Sequence, residues 1–390
     1  MQIRTEVKNN LTYVYIDGII NSTNANEFSD KIKDEPKDTD GLVLDCEKLE
    51  YISSAGLRVI LSAKKRCGDK TFKVINVNSE VMEVFKVTGF DEIMDITQTN
   101  KKISVEDCDI IGRGSCGECY RIDDETIIKL YYGNTDISVI EHEKALSKKA
   151  FVMGIPTAIS YDIVEADGRI GVVYELIKSK TLAELMRTDP DNLDKYIKMY
   201  ADICKSIHAI HTDDPDIPSF KDLNKEGIKL VTGITDEERD LLNKFVDMIP
   251  DGNSCIHGDL NVNNIMVQDG ECCLIDMGEF GKGIPMFDIS RIVFSMECLN
   301  TKPNEFNAFY KMSSEMVTYI FKGFLKEYYG TSDINEILKI DGDAKWMYPL
   351  AWLRCVTAVL GGHNWPENMR QFALGILRDN LVPFIKSKLN

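Results

Sequence analysis

The stretch "IGRGSCGECYRIDDETIIKL", residues 111–130, restricts the architecture of this chain more than any other. Gly112, Gly114 and Gly117 spell GxGxxG, a pattern that cradles phosphate in several unrelated folds, and Cys116 and Cys119 overlay it with CxxC. A dinucleotide fold needs a strand before such glycines and a helix after them. Here they are followed by a strand pattern, an Asp-Asp turn and a second strand ending at Lys129. The pattern therefore argues against a Rossmann unit and predicts a glycine-rich β-hairpin. The CxxC has neither a second CxxC nor a CxxH partner, so alternation along the hairpin explains it better than zinc does.

Around this hairpin the chain reads as two patterns. Residues 1–98 run strand, strand, helix, strand, helix, strand, helix, through "TYVYIDG", "NANEFSDKIKD", "GLVLDCE", "AGLRVILSAKKRCG", "TFKVINV" and "EVMEVFKVTGF". That alternation predicts one small α/β domain. The polar segment 99–105 is read as a linker. Residues 106–390 then open with three short strands, a helix and two more strands, forming a β-rich lobe over about 106–178. A mainly helical lobe follows over about 179–390, interrupted by the hairpin "NIMVQDGECCLIDMG". The expected class is α/β followed by α+β.

Composition narrows the function classes. At 390 residues and 44% hydrophobic, the chain can fill two or three cores. A formal charge of −17 argues against a non-specific nucleic-acid binder or an anionic-membrane binder, since both depend on Lys and Arg. The 11 cysteines form no even framework, apolar runs fall short of a membrane span, and the first residues lack a signal core. A cytoplasmic protein is expected.

The chemistry sits in two places. Backbone N–H groups of a Gly-rich hairpin cover nucleotide phosphates, and a strand lysine, here Lys129, pairs with their oxygens. Glu143 in the next helix is the favoured carboxylate to hold that lysine, with Glu141 second. Further on, His257-Gly258-Asp259 precedes Asn264, and Asp276-Met277-Gly278 follows. Phosphoryl transfer needs a carboxylate that positions or deprotonates the attacking hydroxyl and two acceptors for Mg²⁺. Asp259 meets the first requirement; Asn264 and Asp276 meet the second.

With HGD in place of HRD, the Gly-Ile-Pro after the Glu143 helix and Asp288 in "PMFDIS", residues 106–390 resemble the aminoglycoside phosphotransferase and choline kinase family. The resemblance implies a two-lobed kinase-like fold and the use of ATP and Mg²⁺. It favours Glu143 over Glu141 and places the adenine against the backbone of "YELI", from Glu175 to Ile177. It also makes Asp288 a brace of the catalytic loop, gives His257 a supporting role, and puts the acceptor near the C-terminal helices. Trp346, Trp352 and Trp365 lie in that region, where aromatic core packing is an equal expectation.

In the first domain, "LVLDCEKLEYISSAGLRVIL" runs from strand to helix with Ser53 and Ser54 at the helix start, where serine is a favoured N-cap. The segment 3–97 resembles the STAS domain of the anti-sigma factor antagonist family. The resemblance makes Ser54 the phosphoacceptor and an anti-sigma-like regulatory protein a partner, while Ser53 stands where many members have Asp. Asp45 is read either as a neighbour of Ser54 or as a turn-capping carboxylate. Tyr196, Tyr200, Ile203, Ile207 and Ile210 have the spacing of a helix core, and His208 and His211 are read as packing or capping histidines.

The resulting expectation is a kinase-type phosphotransferase that moves the γ-phosphoryl group of ATP to a hydroxyl of a small molecule of aminoglycoside, sugar or amino alcohol type, with a regulatory STAS domain. The alternative is a regulatory switch whose kinase domain phosphorylates a protein serine, Ser54 included. A binding-only scaffold is the third reading.

Overall fold

Hydrophobic alternation in the first hundred residues is realised as a five-stranded sheet in a computed structural model, which describes the chain except residues 34, 37, 115, 134, 299–309, 363–364 and 390. The sheet order is β1 (Gln2–Lys8), β2 (Leu11–Ile20), β3 (Gly41–Ile52), β4 (Thr71–Val77), β5 (Asp95–Gln98). β1 is antiparallel to β2, and the remaining pairs are parallel. The first half of β3 is buried on both faces, as a parallel strand between neighbours requires. The edge strand β1 carries Arg4, Glu6 and Lys8 and stays largely exposed, which protects it from edge pairing. Helices α1 (Ala25–Ile32), α2 (Ser54–Cys67) and α3 (Ser79–Val87) contribute Phe28, Ile60 and Phe85 to a core shared with Val14, Leu44 and Val74.

The stretch read as a linker holds structure. β5 ends at Gln98, Thr99 donates its N–H to Val77 O, and residues 101–103 form β6. β6 (Lys101–Ile103) pairs in parallel with β10 (Ser160–Ala166), Lys101 opposite Val164. Its partner lies sixty residues further on and two of its three side chains are solvated lysines, so neither length nor hydrophobicity marks it as a strand.

β6 is the edge of a six-stranded sheet ordered β6-β10-β11-β9-β8-β7, with β7 (Asp109–Arg113), β8 (Gly117–Arg121), β9 (Thr126–Tyr131) and β11 (Arg169–Glu175). Ile128, Leu130, Val164 and Ala166 form its small core. By contacts the chain divides into two units. The first holds residues 1–122, 128–135 and 161–173; the second holds 123–127, 136–160 and 174–390.

The second unit is mainly helical. It contains α4 (Ile137–Val152), α5 (Leu182–Thr188), α6 (Leu193–His208), α7 (Phe220–Leu230), α8 (Asp236–Met248), α9 (Met286–Val293) and further helices including Ser314–Tyr329 and Met347–Leu360. Tyr196, Tyr200, Ile203 and Ile207 line the buried face of α6, while Ile210 falls just beyond the helix end. Two short antiparallel sheets interrupt the helices: β13 (Ser254–Ile256) with β16 (Gly281–Gly283), and a three-stranded one ordered β12 (Lys180–Thr181), β14 (Ile265–Gln268), β15 (Glu271–Leu274).

Candidate active site

The loop after β13 carries His257, Gly258 and Asp259. Gly258 has φ +87°, and a Cβ there would lie 2.6 Å from Glu279 Cβ and 2.8 Å from Phe220 Cζ, so both conformation and space demand glycine. Asp288, wholly buried on α9, holds this turn from behind. Its Oδ1 accepts from Gly258 N at 2.8 Å, and its Oδ2 accepts from His257 N at 2.9 Å. His208 Nε2 lies 3.2 Å from the same Oδ2, and its Nδ1 lies 2.8 Å from Tyr328 Oη, which makes His208 a buried brace. The His257 ring bonds its own loop: Nδ1 accepts from Asp259 N at 3.2 Å, and Nε2 lies 3.2 Å from Ile275 O.

β14 and β15 are joined by Asp269 and Gly270, both with positive φ, the conformation that suits a two-residue hairpin turn. Their register pairs Ile265 with Leu274, and just beyond it Ile275 N donates to Asn264 O at 3.0 Å. Asn264 thereby stands at the open end of the hairpin, with Asp276 one residue beyond its backbone partner Ile275. Asp276 adopts left-handed backbone angles, φ 64° and ψ 60°. An Asp carboxylate and an Asn amide oxygen are hard oxygen donors and fit Mg²⁺, which takes one or two protein ligands and completes its shell with phosphate and water. Among the described residues no group of three or more His, Cys, Asp or Glu side chains has the arrangement of an all-protein metal cage.

Two side chains hold the Asp259 carboxylate. Asn264 Nδ2 donates to its Oδ2 at 3.0 Å and to its backbone O at 2.9 Å. Arg291, on α9, donates from Nε at 2.8 Å and from Nη2 at 2.5 Å, both to Oδ1. Burial pushes the Asp259 carboxyl upward, but the charge and hydrogen bonds of Arg291, helped by His257 and Arg354, more than offset it and hold the group below the usual carboxylate range. Arg354, on the helix Met347–Leu360, pairs with Glu279 at 2.9 Å. Sequence reasoning missed Arg291, Arg354 and Glu279. The available signal was the placement of Arg291 one helical turn after Asp288, which puts the two on one face.

The nucleotide-side residues divide between the two units. In the first unit Gly112 lies in β7, Gly114 N donates to Gly117 O at 2.9 Å, and Tyr132 Oη donates to Gly114 O at 3.3 Å. A Cβ on Gly117 would overlap the Leu130 carbonyl, so β8 and β9 approach closely only with glycine there. Glu118 ties the hairpin to β11 through Arg169 at 3.1 Å. Lys129 points from β9 with its ammonium 5.2 Å from the Tyr131 ring centre. In the second unit Glu143 is buried on α4, whereas Glu141 is exposed, and a Cβ on Gly278 would come within 3.3 Å of the Glu143 carboxyl carbon. Glu175 ends β11 and donates its N–H to Ile159 O at 2.9 Å. Leu176 N donates to Glu125 O at 2.7 Å, and Ile177 O accepts from Ser179 N at 2.8 Å.

In the first domain Ser53 is the N-cap of α2, accepting from Gly56 N at 3.4 Å, and Ser54 is the first helical residue and is exposed. Asp45 accepts from Glu47 N at 3.1 Å and from Asn76 Nδ2 at 3.0 Å, the bonding of a turn-capping carboxylate. Trp346 is buried against Phe245 and Phe384, Trp352 packs on Phe384, and Trp365 donates to Ala358 O at 3.1 Å. The helical core accounts for all three. Cys116 is exposed at the hairpin tip, and none of the described cysteines is in a disulfide.

Two family models match separate stretches of the chain. Residues 2–103 match the family model of the STAS domain, and residues 143–311 match that of the phosphotransferase enzyme family. The first part is 32% identical over 89 residues to the putative anti-sigma factor antagonist BtrV of Bordetella bronchiseptica, spanning 77% of that protein and 22% of this chain. Among solved structures, the ADP-bound aminoglycoside phosphotransferase APH(2'')-Ib is 15% identical, with 70% of this chain and 92% of that one covered at a TM-score of 0.45. A putative anti-sigma factor antagonist from Thermotoga maritima is 24% identical, with 25% and 86% covered at a TM-score of 0.24. No helix among the described residues is long and apolar enough to cross a membrane. The chain belongs to the STAS family of anti-sigma factor antagonists through its N-terminal domain and carries, behind it, a kinase-like domain of the phosphotransferase enzyme family.

Proposed function

We propose that the chain transfers the γ-phosphoryl group of ATP, in the presence of Mg²⁺, to a hydroxyl of a small molecule of aminoglycoside, sugar or amino alcohol type, with the STAS domain as its regulatory part. The observation that carries this reading is the constellation in the second unit: Asp259, bonded by Arg291 and Asn264, at a hairpin whose open end carries Asn264, with Asp276 one residue beyond its partner Ile275. Asp259 accepts the proton of the acceptor hydroxyl. That oxygen forms a bond to the γ-phosphorus as the bond from phosphorus to the β,γ-bridging oxygen breaks, and ADP leaves with the bonding pair. Asn264 and Asp276 would hold Mg²⁺, which neutralises phosphate charge when bound. Within the first unit, Lys129 and the backbone of the Gly112–Gly117 hairpin are the candidates for phosphate contacts; within the second, Glu143 is the candidate carboxylate and Glu175 to Ile177 the candidate adenine edge.

Exposure of Ser54 at the first turn of α2 supports a second reading in which a protein serine is the acceptor and an anti-sigma-like protein the partner. A phosphate there meets unpaired helix N–H groups and adds charge to a docking face. One experiment separates the readings. Incubation with γ-labelled ATP and a panel of small hydroxyl compounds is expected to give label transfer that is lost in Asp259→Asn while ADP binding survives. Equal transfer by mutant and wild type would sink the assignment. Label on the protein that vanishes in Ser54→Ala would select the second reading, and no ATP turnover with any acceptor a binding-only scaffold.

A further inference from the structure

α9 touches the catalytic loop twice, and the two contacts differ in kind. Asp288 holds the backbone of His257 and Gly258, and one turn later Arg291 holds the side chain of Asp259. The first contact already ties helix to loop. A second, largely buried ion pair adds little stability, because desolvating both charges costs about as much as their attraction returns. Its value lies in orientation.

A carboxylate offers about four lone-pair sites, two on each oxygen. Arg291 Nε and Nη2 both donate to Oδ1 from one edge of the guanidinium, and Asn264 Nδ2 donates to Oδ2. Oδ1 thus faces the charged fork, and Oδ2 meets a single neutral amide donor. We infer that Arg291 is a positioning residue that commits Oδ1 of Asp259 and leaves Oδ2 as the atom that receives the acceptor's hydroxyl proton. This rests on the reading of Asp259 as the proton acceptor. Without the guanidinium the carboxylate rotates about its Cβ–Cγ bond, and a displacement of about 1 Å at a reacting group costs on the order of 100-fold in rate. Lysine restores the charge with a single point of contact and none of the fork geometry.

The test uses the full-length chain with Mg²⁺ and γ-labelled ATP, with the same panel of small hydroxyl compounds and water as acceptors, and follows kcat and KM for ATP. Arg291→Gln is expected to lose about 100-fold in kcat with KM for ATP unchanged, and Arg291→Lys to recover about tenfold of that loss. An Arg291→Gln variant within about threefold of wild-type kcat would overturn the inference, as would parallel changes in kcat and KM that Arg291→Lys fully reverses, the pattern of a purely structural contact. Asp259→Asn, assayed alongside, separates the two levels. If it hydrolyses ATP as fast as wild type, or wild type does not turn over ATP at all, the transfer reading fails and this inference with it. If Asp259→Asn is inactive and Arg291→Gln is not, this inference alone fails.

Discussion

Removing the Asp288 carboxylate is expected to destabilise the helical unit far more than its single side chain suggests. Asp288 is fully buried and accepts from two backbone N–H groups, at 2.8 and 2.9 Å, as well as lying 3.2 Å from His208 Nε2. In Asp288→Ala the N–H groups of His257 and Gly258 stay buried with no acceptor. Each unsatisfied donor costs about 1–3 kcal/mol, so the pair costs roughly 4 kcal/mol. Asp288→Asn keeps one acceptor oxygen and loses about half of that, roughly 2 kcal/mol. With a urea slope of about 3 kcal/mol per molar, the unfolding midpoint falls by about 1.3 M for alanine and by about 0.7 M for asparagine. Tryptophan fluorescence is the assay of choice, because Trp346, Trp352 and Trp365 are the only tryptophans of the chain and all lie in the second unit. An alanine variant whose midpoint stays within about 0.2 M of wild type would show that the loop finds other acceptors, and the reasoning would fail.

Two further perturbations test other parts of the fold. In Gly56→Ala the new methyl would lie 2.6 Å from Ile20 Cγ2 and 2.8 Å from Ile52 Cγ1, an overpacking worth about 1–3 kcal/mol. Hydrogen exchange of the β2 and β3 amides is expected to speed up accordingly; unchanged exchange would show that α2 shifts at no cost. Thiol labelling at pH 8 is expected to reach Cys116 first, since it is exposed, whereas burial pushes Cys255 up to about 11 and Cys46 further still. Only about one Cys255 in a thousand is then a thiolate, and Cys46 and Cys255 are expected to react at the rate of unfolding. Labelling of Cys46 as fast as Cys116 would contradict the packed first core.

Local pattern carried a large share of this molecule. The period-two alternation of "TYVYIDG", the continuous apolar run of "GLVLDCE" and the glycine stop at Gly68 mark strands and a helix, because each reflects an element's own burial or backbone conformation. The Asp269-Gly270 turn marks a hairpin for the same reason, and its register sets Asn264 against Ile275, the neighbour of Asp276.

What local pattern could not carry is every relation whose energy comes from a distant partner. β6 is a strand because Val164 to Ala166 lie beside it, and nothing in "KKI" announces that. Arg291 reads as one more charged residue until α9 is packed behind the catalytic loop; the guanidinium then meets Asp259 across thirty-two residues of chain. Trp346 and Trp352 suit a pocket wall or a core equally well in sequence, and the packing of Phe384 on both, with Phe245 on Trp346, sets them against the core. Residue types and spacings specify which groups the chemistry needs. The direction in which the Asp259 carboxylate faces is set by which helices bury their apolar sides against one another, and that choice is made over the whole unit at once.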